Sequence, residues 1–294
     1  MTAISAPSSY RSSKAKPRRT LSLGRILTHI TLFFLAVVWL LPSVGLLITS
    51  FRSRGDISSS GWWTFSPTQF TVENYELVLN AQGMGDSFLN SFKITLPSTI
   101  LPILIASVAA YALAWVKFPG RNVMLIIILA LLVIPLQTTL VPVLRMFNQL
   151  GLSGTYLGIW IAHTAYGLPF AIYLLRNFFS SLPKELMESA KIDGANELTV
   201  FWRIVLPLSV PALASLAIFQ FMWVWNDLLL ALVFMSTPQN QPVTVRIQAM
   251  LGTYATEWHL MSAAAFISMS VPLLVFFALQ RYFVVGLTAG AVKE

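Results

Sequence analysis

The sequence contains no cysteine, which excludes disulfide bonds and thiolate chemistry and leaves the redox compartment of the protein undetermined. Charged residues are scarce too, at 10% of the chain, against about 25% in ordinary soluble domains. Apolar residues make up 56% of the sequence, and the mean hydropathy is +0.73. This composition indicates a membrane protein, so we convert its length into a number of membrane spans.

Patterns for an energy source or a catalytic centre are also missing. No G-x-x-x-x-G-K-[ST] phosphate-binding loop occurs, which indicates that ATP is bound by another chain. The three histidines, His29, His163 and His259, lie in different segments without a carboxylate cluster around them. We therefore expect no metal site, no catalytic residues and no enzymatic activity. A secondary transporter is disfavoured as well, because nearly all charges lie at the ends of the apolar stretches.

Six stretches are long and apolar enough to cross a bilayer, for which a helix needs about 20 residues. They are residues 26–50, 88–115, 122–144, 156–176, 209–235 and 259–285. The first is too long, and begins too far into the chain, for a cleaved signal peptide. Residues 1–24 form a basic tail rich in Ser, Lys, Arg and Pro, for which we expect disorder. The predicted fold class is an all-α membrane protein with six transmembrane helices in one domain over residues 25–294.

Lysine and arginine predict the orientation of these spans. If the N-terminus is cytoplasmic, few of the 19 Lys and Arg residues lie in outside segments: Arg52, Arg54, Lys93, Arg145 and Arg246. The positive residues thus concentrate inside, which predicts that both termini are cytoplasmic. The same asymmetry accounts for the net charge of +8 without a nucleic-acid partner.

A charged island, residues 178–208, separates the predicted fourth and fifth spans. Burying its charges at mid-membrane would cost on the order of 20 kcal/mol, so we expect it in water on the cytoplasmic side. Pro183 suits a helix start, Gly194 a helix end and Asn196 a second start, which predicts a helix, a sharp turn and a helix. Pro207 and Pro211 predict a kink before the next span. The island is either a solvated connector or a docking site, and its predicted structure favours docking.

The island carries a recognisable pattern. Its "ESAKIDGA" at residues 188–195 and "IVLP" at 204–207 resemble the EAA loop of ABC importer permeases. The pattern of that loop begins with E-A-A, followed after three residues by a Gly and after nine more residues by I-x-L-P. This sequence has the same spacing, and it differs at Ser189, where the pattern has an Ala and this chain has another small residue. Trp225-Asn226-Asp227 and the ending "GLTAGAVK" at 286–293 resemble the carbohydrate-uptake, maltose-importer branch. The resemblance covers the chain from about residue 27 onward.

This resemblance implies a permease subunit of an ATP-driven sugar importer, with the type I ABC importer fold, in a bacterial or archaeal cytoplasmic membrane. The implied partners are a second, different permease subunit, two cytosolic ATPases that hold ATP and Mg²⁺, an extracytoplasmic sugar-binding protein and membrane lipid. No cofactor is expected in this chain. An ABC permease for a non-sugar solute, such as a polyamine or phosphate, and a secondary transporter are the alternatives.

The resemblance also implies that the island contains a coupling helix, which fits a cleft of the ATPase and moves the spans when the ATPases close on ATP. The residues expected in this role are Glu188, Ser189, Ala190, Asp193, Gly194, Ala195, Ile204, Leu206 and Pro207.

Polar and aromatic residues within the predicted spans are candidates for the translocation pathway, because they face other helices or an aqueous cavity. Sugars require hydrogen-bonding partners and flat aromatic faces. The candidates are Gln137, Tyr166, Trp223, Trp225, Asn226 and Asp227. Further polar residues of the same spans are Thr138, Thr139, His163, Thr164 and Gln220. Each has a structural alternative, namely helix packing or anchoring at the membrane surface, and a gate or interface role suits Asp227 equally well.

The outside segment 236–258 contains "TPQNQPVTVRIQ" and is long for a turn between spans. One interpretation is an exposed connector. The other is a contact with the binding protein, for which Gln239, Asn240 and Gln241 are the candidates and the two prolines would lower the cost of ordering.

Overall fold

The computed structural model describes residues 23–64, 70–81, 83–253 and 256–289, without the side chains of residues 253 and 281–289. The predicted disordered tail, apart from its last two residues, and the end of the "GLTAGAVK" motif lie outside the described residues. The described residues up to Leu46 and those from Leu47 onward form two separate compact units. Within the described ranges the chain is helical, with one isolated β-bridge between Arg52 and Phe70.

The α-helices are numbered here in chain order. They are α1 (Leu23–Ser50), α2 (Arg54–Ser59), α3 (Glu73–Glu76), α4 (Met84–Trp115), α5 (Arg121–Val133), α6 (Leu136–Gln149), α7 (Tyr156–Ser180), α8 (Lys184–Ile192), α9 (Glu197–Val200), α10 (Leu206–Leu208), α11 (Val210–Trp225), α12 (Leu229–Phe234), α13 (Val243–Thr253) and α14 (Trp258–Ala289). Two π-helical segments, Leu77–Ala81 and Phe201–Val205, and one 3₁₀ turn, Pro238–Asn240, complete the described elements.

Four of these helices, α1, α4, α7 and α14, are each long and apolar enough to cross a membrane. Two bent pairs also qualify: α5 with α6, bent by 100°, and residues Glu197–Leu208 with α11, bent by 73°. The total reaches the predicted six only if each bent pair counts as one span, so the number six stays a prediction. The 73° bend lies at Ser209, between Pro207 and Pro211, where a kink was predicted.

The predicted third span, residues 122–144, is not one straight helix. Ile134 and Pro135 are extended and separate α5 from α6. Proline has no amide hydrogen and pushes the preceding residue out of the helical conformation, which explains a break at this dipeptide.

The predicted fifth span, residues 209–235, is interrupted as well. It divides into α11 and α12, and between them the Asp227 carboxylate accepts the backbone N–H groups of Leu230 at 3.3 Å and Ala231 at 3.0 Å. A carboxylate that satisfies free amides of a first turn stabilises a new helix start. Asp227 therefore acts as a helix cap.

The described part of segment 236–258, which was predicted to lie outside, contains regular structure. It begins with the 3₁₀ turn and continues as α13, in which Val243 and Met250 are buried. Val243, Ile247 and Met250 recur at helical spacing and pack into the same apolar cluster. This periodicity is present in the sequence, but the polar residues between these positions obscure it.

The core of residues 47–294 is organised around α4, which packs against α7 and α11, while α11 also packs against α14. Helix α4 contributes residues to three apolar clusters along its length, among them Met84, Ile94 and Ala110. Many of its buried positions are Ser, Thr or Ala. Small side chains let helix backbones approach closely, as is usual between helices in membranes.

Candidate coupling surface and membrane cavity

The charged island folds as the predicted helix, turn and helix. At the end of α8, the Ala195 N–H donates to the Ala190 carbonyl at 2.9 Å, and the Gly194 N–H donates to that of Lys191 at 3.1 Å. Gly194 has φ of +80°, the left-handed conformation that this C-cap motif requires. The Asn196 side chain then accepts the Thr199 N–H at 2.8 Å and caps α9.

The predicted coupling residues divide between two faces of the island. Ala190 is buried beside Met187 in the cluster that holds the C-terminal ends of α4 and α7. Ala195, Ile204 and Leu206 are partly buried against the same cluster. The rest are exposed: Glu188, Ser189, Asp193, Gly194 and Pro207.

The exposed face also carries apolar side chains that the sequence interpretation did not select. Ile192 is 86% exposed, Leu198 67% and Trp202 58%. They lie close in sequence to the exposed carboxylates of Glu188 and Asp193. The exposed part of the island thus carries both carboxylates and apolar side chains, the two kinds of group found in protein interfaces.

A second missed feature is the environment of Glu197. One carboxylate oxygen pairs with the Lys191 ammonium at 2.7 Å. The other accepts the Tyr111 hydroxyl, on α4, at 2.5 Å. Tyr111 is buried, and its ring packs against Phe201 with centroids 5.2 Å apart. A lone tyrosine near the C-terminal end of an apolar stretch is the only signal of this contact in the sequence.

A cavity of about 270 Å³ lies between α7 and α11. It is lined by Tyr166, Gly167, Phe170, Phe219, Gln220 and Trp223. Two predicted pathway residues, Tyr166 and Trp223, therefore come together with Gln220 from the wider polar set. Aromatic walls with a few placed polar groups are the usual composition of a small-molecule site.

The polar groups of this cavity are held by neighbouring helices. The Gln220 amide donates to the Ser98 carbonyl of α4 at 3.2 Å. The Tyr166 hydroxyl and the Thr139 hydroxyl lie 2.8 Å apart, which connects α7 to α6. The site is thus fixed by contacts with helices on both sides.

The other pathway candidates do not line this cavity. Trp225 is buried, its indole N–H donates to the Ser268 carbonyl at 3.0 Å, and its ring packs against Phe92. These contacts agree with helix packing, the structural alternative given for this residue, and its contact with the solute stays a prediction. Gln137 is exposed in the first turn of α6, and Asn226 is exposed with its amide donating to the Met222 carbonyl at 2.8 Å.

Asp227 ties several elements together at the break between α11 and α12. Its carboxylate caps α12 and lies 3.8 Å from the His163 Nε2 on α7. Its carbonyl accepts the Thr244 hydroxyl of α13 at 2.7 Å. These contacts agree with the gate or interface role that the sequence suggested for Asp227 as the alternative to contact with the solute. Among the described residues, no group of three or more His, Asp and Glu side chains could hold a metal ion.

The outer candidates Gln239, Asn240 and Gln241 are anchored through their backbone. The Asn90 amide of α4 donates to the carbonyls of Gln239 at 2.7 Å and Gln241 at 3.3 Å. The Asn240 amide donates to the Gly154 carbonyl at 3.3 Å. The Gln239 side chain is exposed, while those of Asn240 and Gln241 are half-buried. The turn therefore presents an ordered surface.

Comparison with known proteins agrees with this architecture. The profile of the family described as "Binding-protein-dependent transport system inner membrane component" matches residues 103–288. The chain belongs to this family. The predicted relationship to ABC importer permeases is confirmed, and the family is one of multi-pass transport permeases of the inner membrane rather than of enzymes.

Several permeases resemble this chain over most of its length. "Osmoprotective compounds uptake permease protein GgtD" of Synechocystis is 54% identical over 94% of this chain and 95% of its own. "Alpha-glucoside transport system permease protein AglG" of Rhizobium meliloti is 55% identical. The match covers 78% of this chain and 62% of AglG. "Melibiose/raffinose/stachyose import permease protein MelC" of Bacillus subtilis is 35% identical over 94% of this chain and 98% of its own.

A solved structure shows the same fold. It is described as a bacterial ABC transporter involved in the import of the acidic polysaccharide alginate, and the match has a TM-score of 0.79 with 23% identity. The match covers 92% of this permease and 99% of the compared chain. The predicted fold class, an all-α importer permease, is thereby confirmed.

Proposed function

We propose that this permease imports a neutral sugar or glycoside as one half of a translocation pathway driven by ATP. The observation that carries the proposal is the cavity in which Tyr166 and Trp223 stand beside the Gln220 amide. Aromatic faces pack against the apolar faces of sugar rings, and an amide both donates and accepts hydrogen bonds. The printed substrates of AglG and MelC, which are alpha-glucosides and melibiose, raffinose and stachyose, support this solute class.

The proposed complex contains a second, different permease subunit, two cytosolic ATPases and an extracytoplasmic sugar-binding protein. The exposed face of α8 and α9 supports docking of an ATPase, because it combines the Glu188 and Asp193 carboxylates with the apolar Ile192, Leu198 and Trp202. ATP and Mg²⁺ belong to the ATPases in this proposal. The outer turn at Gln239–Gln241 supports contact with the binding protein, because its backbone is held and its surface is polar.

A second candidate solute is a small osmoprotective compound that is not a sugar. The ground for considering it is the printed description of GgtD, which names osmoprotective compounds without their chemical class. The cavity is compatible with a quaternary ammonium group, since Trp and Tyr faces attract such cations. Polyamines and phosphate fit less well, because none of the six lining residues is charged.

The test is uptake by the complete importer in liposomes, assembled with the ATPases and binding protein encoded beside the permease gene. We expect uptake of an α-glucoside or α-galactoside that requires both ATP and the binding protein. Trp223→Ala should lower the rate at least tenfold, whereas Trp258→Ala, an exposed tryptophan outside the cavity, should leave it unchanged. Uptake of glycine betaine without any uptake of glycosides would replace the first candidate with the second.

A further inference from the structure

The charged island is joined to the spans in three different ways. Its end continues directly into α11. Its apolar residues, including Met187, Ala190 and Val205, pack into the cluster formed with α4 and α7. The third connection is polar: the Trp115 indole of α4 donates to the Phe179 carbonyl at 3.0 Å, and α8 and α9 are joined to α4 through Glu197.

The Glu197 connection joins three helices at one carboxylate. Lys191 belongs to the last turn of α8, Glu197 begins α9, and Tyr111 lies on α4. The distances to the carboxylate are 2.7 Å from the lysine nitrogen and 2.5 Å from the tyrosine oxygen. Since Tyr111 is buried and packed against Phe201, its hydroxyl has a fixed position.

The apolar and the polar contacts of the island differ in how they can transmit a movement to the spans. Apolar contacts have no preferred direction, and small side chains such as Ala106, Ala110 and Ala190 allow packed helices to slide in shear. A charge-assisted hydrogen bond requires a defined distance and direction. The Glu197 carboxylate therefore adds a contact of defined distance and direction between α4 and the helices α8 and α9.

Helix α4 leads from this carboxylate to the membrane cavity. Tyr111 lies 111 − 98 = 13 residues from Ser98, or about 20 Å along a helix. The Ser98 carbonyl accepts the amide of Gln220, which lines the cavity. A movement of α8 that carries α4 would therefore reach the proposed solute site.

We propose that Glu197 is a positioning residue that transmits displacement of α8 to α4 through the Tyr111 hydroxyl. This role rests on the proposed function, because an ATPase must supply the displacement. Its contact differs from those proposed for docking: Glu197 is one of the nine variable residues between the Gly and the I-x-L-P of the EAA pattern, and its carboxylate, 47% exposed, contacts Tyr111 and Lys191 of the same chain.

The first experiment measures sugar molecules imported per ATP hydrolysed in the reconstituted importer. Tyr111→Phe and Glu197→Ala should each lower this ratio at least about fivefold, the lower range of coupling between sites, while ATP hydrolysis continues. Glu197→Gln keeps an acceptor for the Tyr111 hydroxyl, so its ratio of import to hydrolysis should lie between those of the parent and Glu197→Ala. Glu185→Gln is the matched control in α8, because its carboxylate makes no side-chain hydrogen bond or ion pair within the described chain; its ratio should stay unchanged.

Two outcomes of this experiment would overturn the proposal. If import and ATP hydrolysis fall together, so that the ratio is constant, the three residues only support the fold. If the loss in the double variant Tyr111→Phe, Glu197→Ala is the product of the single losses, the two residues act independently. A shared connection predicts that the double variant is no worse than the worse single variant.

A second experiment measures a distance between two labels and needs no transported solute. Its result therefore does not depend on whether the solute is a sugar. The chain has no cysteine, so Lys117→Cys, just after α4, and Lys184→Cys, in α8, accept spectroscopic labels selectively. With the ATPases bound, addition of a non-hydrolysable ATP analogue should leave the distance between the labels constant in the parent and change it in Tyr111→Phe. A distance that behaves alike in both backgrounds would contradict transmission through this hydroxyl.

Discussion

A Cβ atom on Gly167 would lie 2.6 Å from the Nε2 atom of Gln220, so α7 and α11 meet at a position where only glycine fits without displacement. We predict that Gly167→Ala pushes the Gln220 amide away from the Ser98 carbonyl and lowers solute uptake. The displaced atoms are the end of a flexible side chain, so we expect a small loss of stability and a larger effect on uptake. Uptake rates and thermal unfolding of the purified protein measure the two effects.

The matched control for this change is Gly252→Ala in α13, where an added Cβ meets nothing within 4 Å. There the substitution should stabilise the helix by about 0.5–1 kcal/mol. Equal uptake by the two variants would show that the approach of Gly167 to Gln220 is unimportant for transport.

Gly194 and Gly120 form a second matched pair. Their φ angles are +80° and +81°, and neither has an atom within 4 Å of an added Cβ. Alanine should therefore cost about 1–2 kcal/mol of backbone strain at each. We predict that Gly194→Ala also weakens ATPase-coupled uptake, and that Gly194→Leu abolishes it, whereas Gly120→Ala does not affect coupling.

The exposed carboxylates provide an independent test of the same docking surface. Glu188→Lys together with Asp193→Lys should leave the chain in the membrane but abolish stimulated ATP hydrolysis. Membrane content by immunoblot and ATPase activity in the reconstituted complex measure the two quantities. Normal uptake by this variant and by Gly194→Leu would remove the docking assignment.

The outer segment after α1 depends on a buried cation. The Arg52 guanidinium donates to the carbonyls of Gly61 at 2.8 Å and Asp56 at 2.9 Å, and only 1% of the residue is exposed. We predict that Arg52→Gln destabilises the segment by on the order of 3 kcal/mol, because these carbonyls lose a charged donor. Limited proteolysis between residues 51 and 61 should detect the loosening.

Arg54→Gln serves as the control for Arg52, because the Arg54 side chain is 73% exposed and pairs with Glu257 at 2.9 Å. Exposed ion pairs contribute about 0–1 kcal/mol. If the two variants are cleaved at the same rate, the hydrogen bonds of Arg52 do not hold the segment.

The orientation can be tested with single cysteines in this cysteine-free chain. Lys184→Cys should react only from the cytoplasmic side and Ser59→Cys only from outside; both positions are exposed. Ser12→Cys and Lys293→Cys should also label from inside, and Gln241→Cys from outside. Reaction of Lys184→Cys with an impermeant maleimide in intact cells would reverse the topology and exclude a coupling role for α8.

The outer turn yields a prediction about the binding protein. Asn90 holds the backbone carbonyls of Gln239 and Gln241, so Gln239→Ala and Gln241→Ala should preserve the turn and change only its surface. We expect both variants to require more loaded binding protein for half-maximal ATPase stimulation. Gln149→Ala, an exposed glutamine at the end of α6, is the control. An unchanged concentration dependence would make the turn a connector.

The features that could be predicted are those set by neighbouring residues. Gly194 and Asn196 determine the turn of the island through backbone conformation and a local cap, so the sequence alone predicts them. The break at Ile134-Pro135 also has a local cause, but the apolar run around it obscured that cause. The contact of Tyr111 with Glu197 spans 86 positions and follows only from how α4 packs, so no sequence pattern predicts it.

The uncharged lining of the cavity between α7 and α11 has an electrical consequence. A charge that crosses the whole membrane exchanges about 2.3 kcal/mol with a potential of 100 mV. A neutral solute bound among Tyr166, Gln220 and Trp223 carries no charge across, so the membrane potential neither drives nor opposes its passage. The concentration ratio that such an importer sustains is then set by ATP alone, at any voltage.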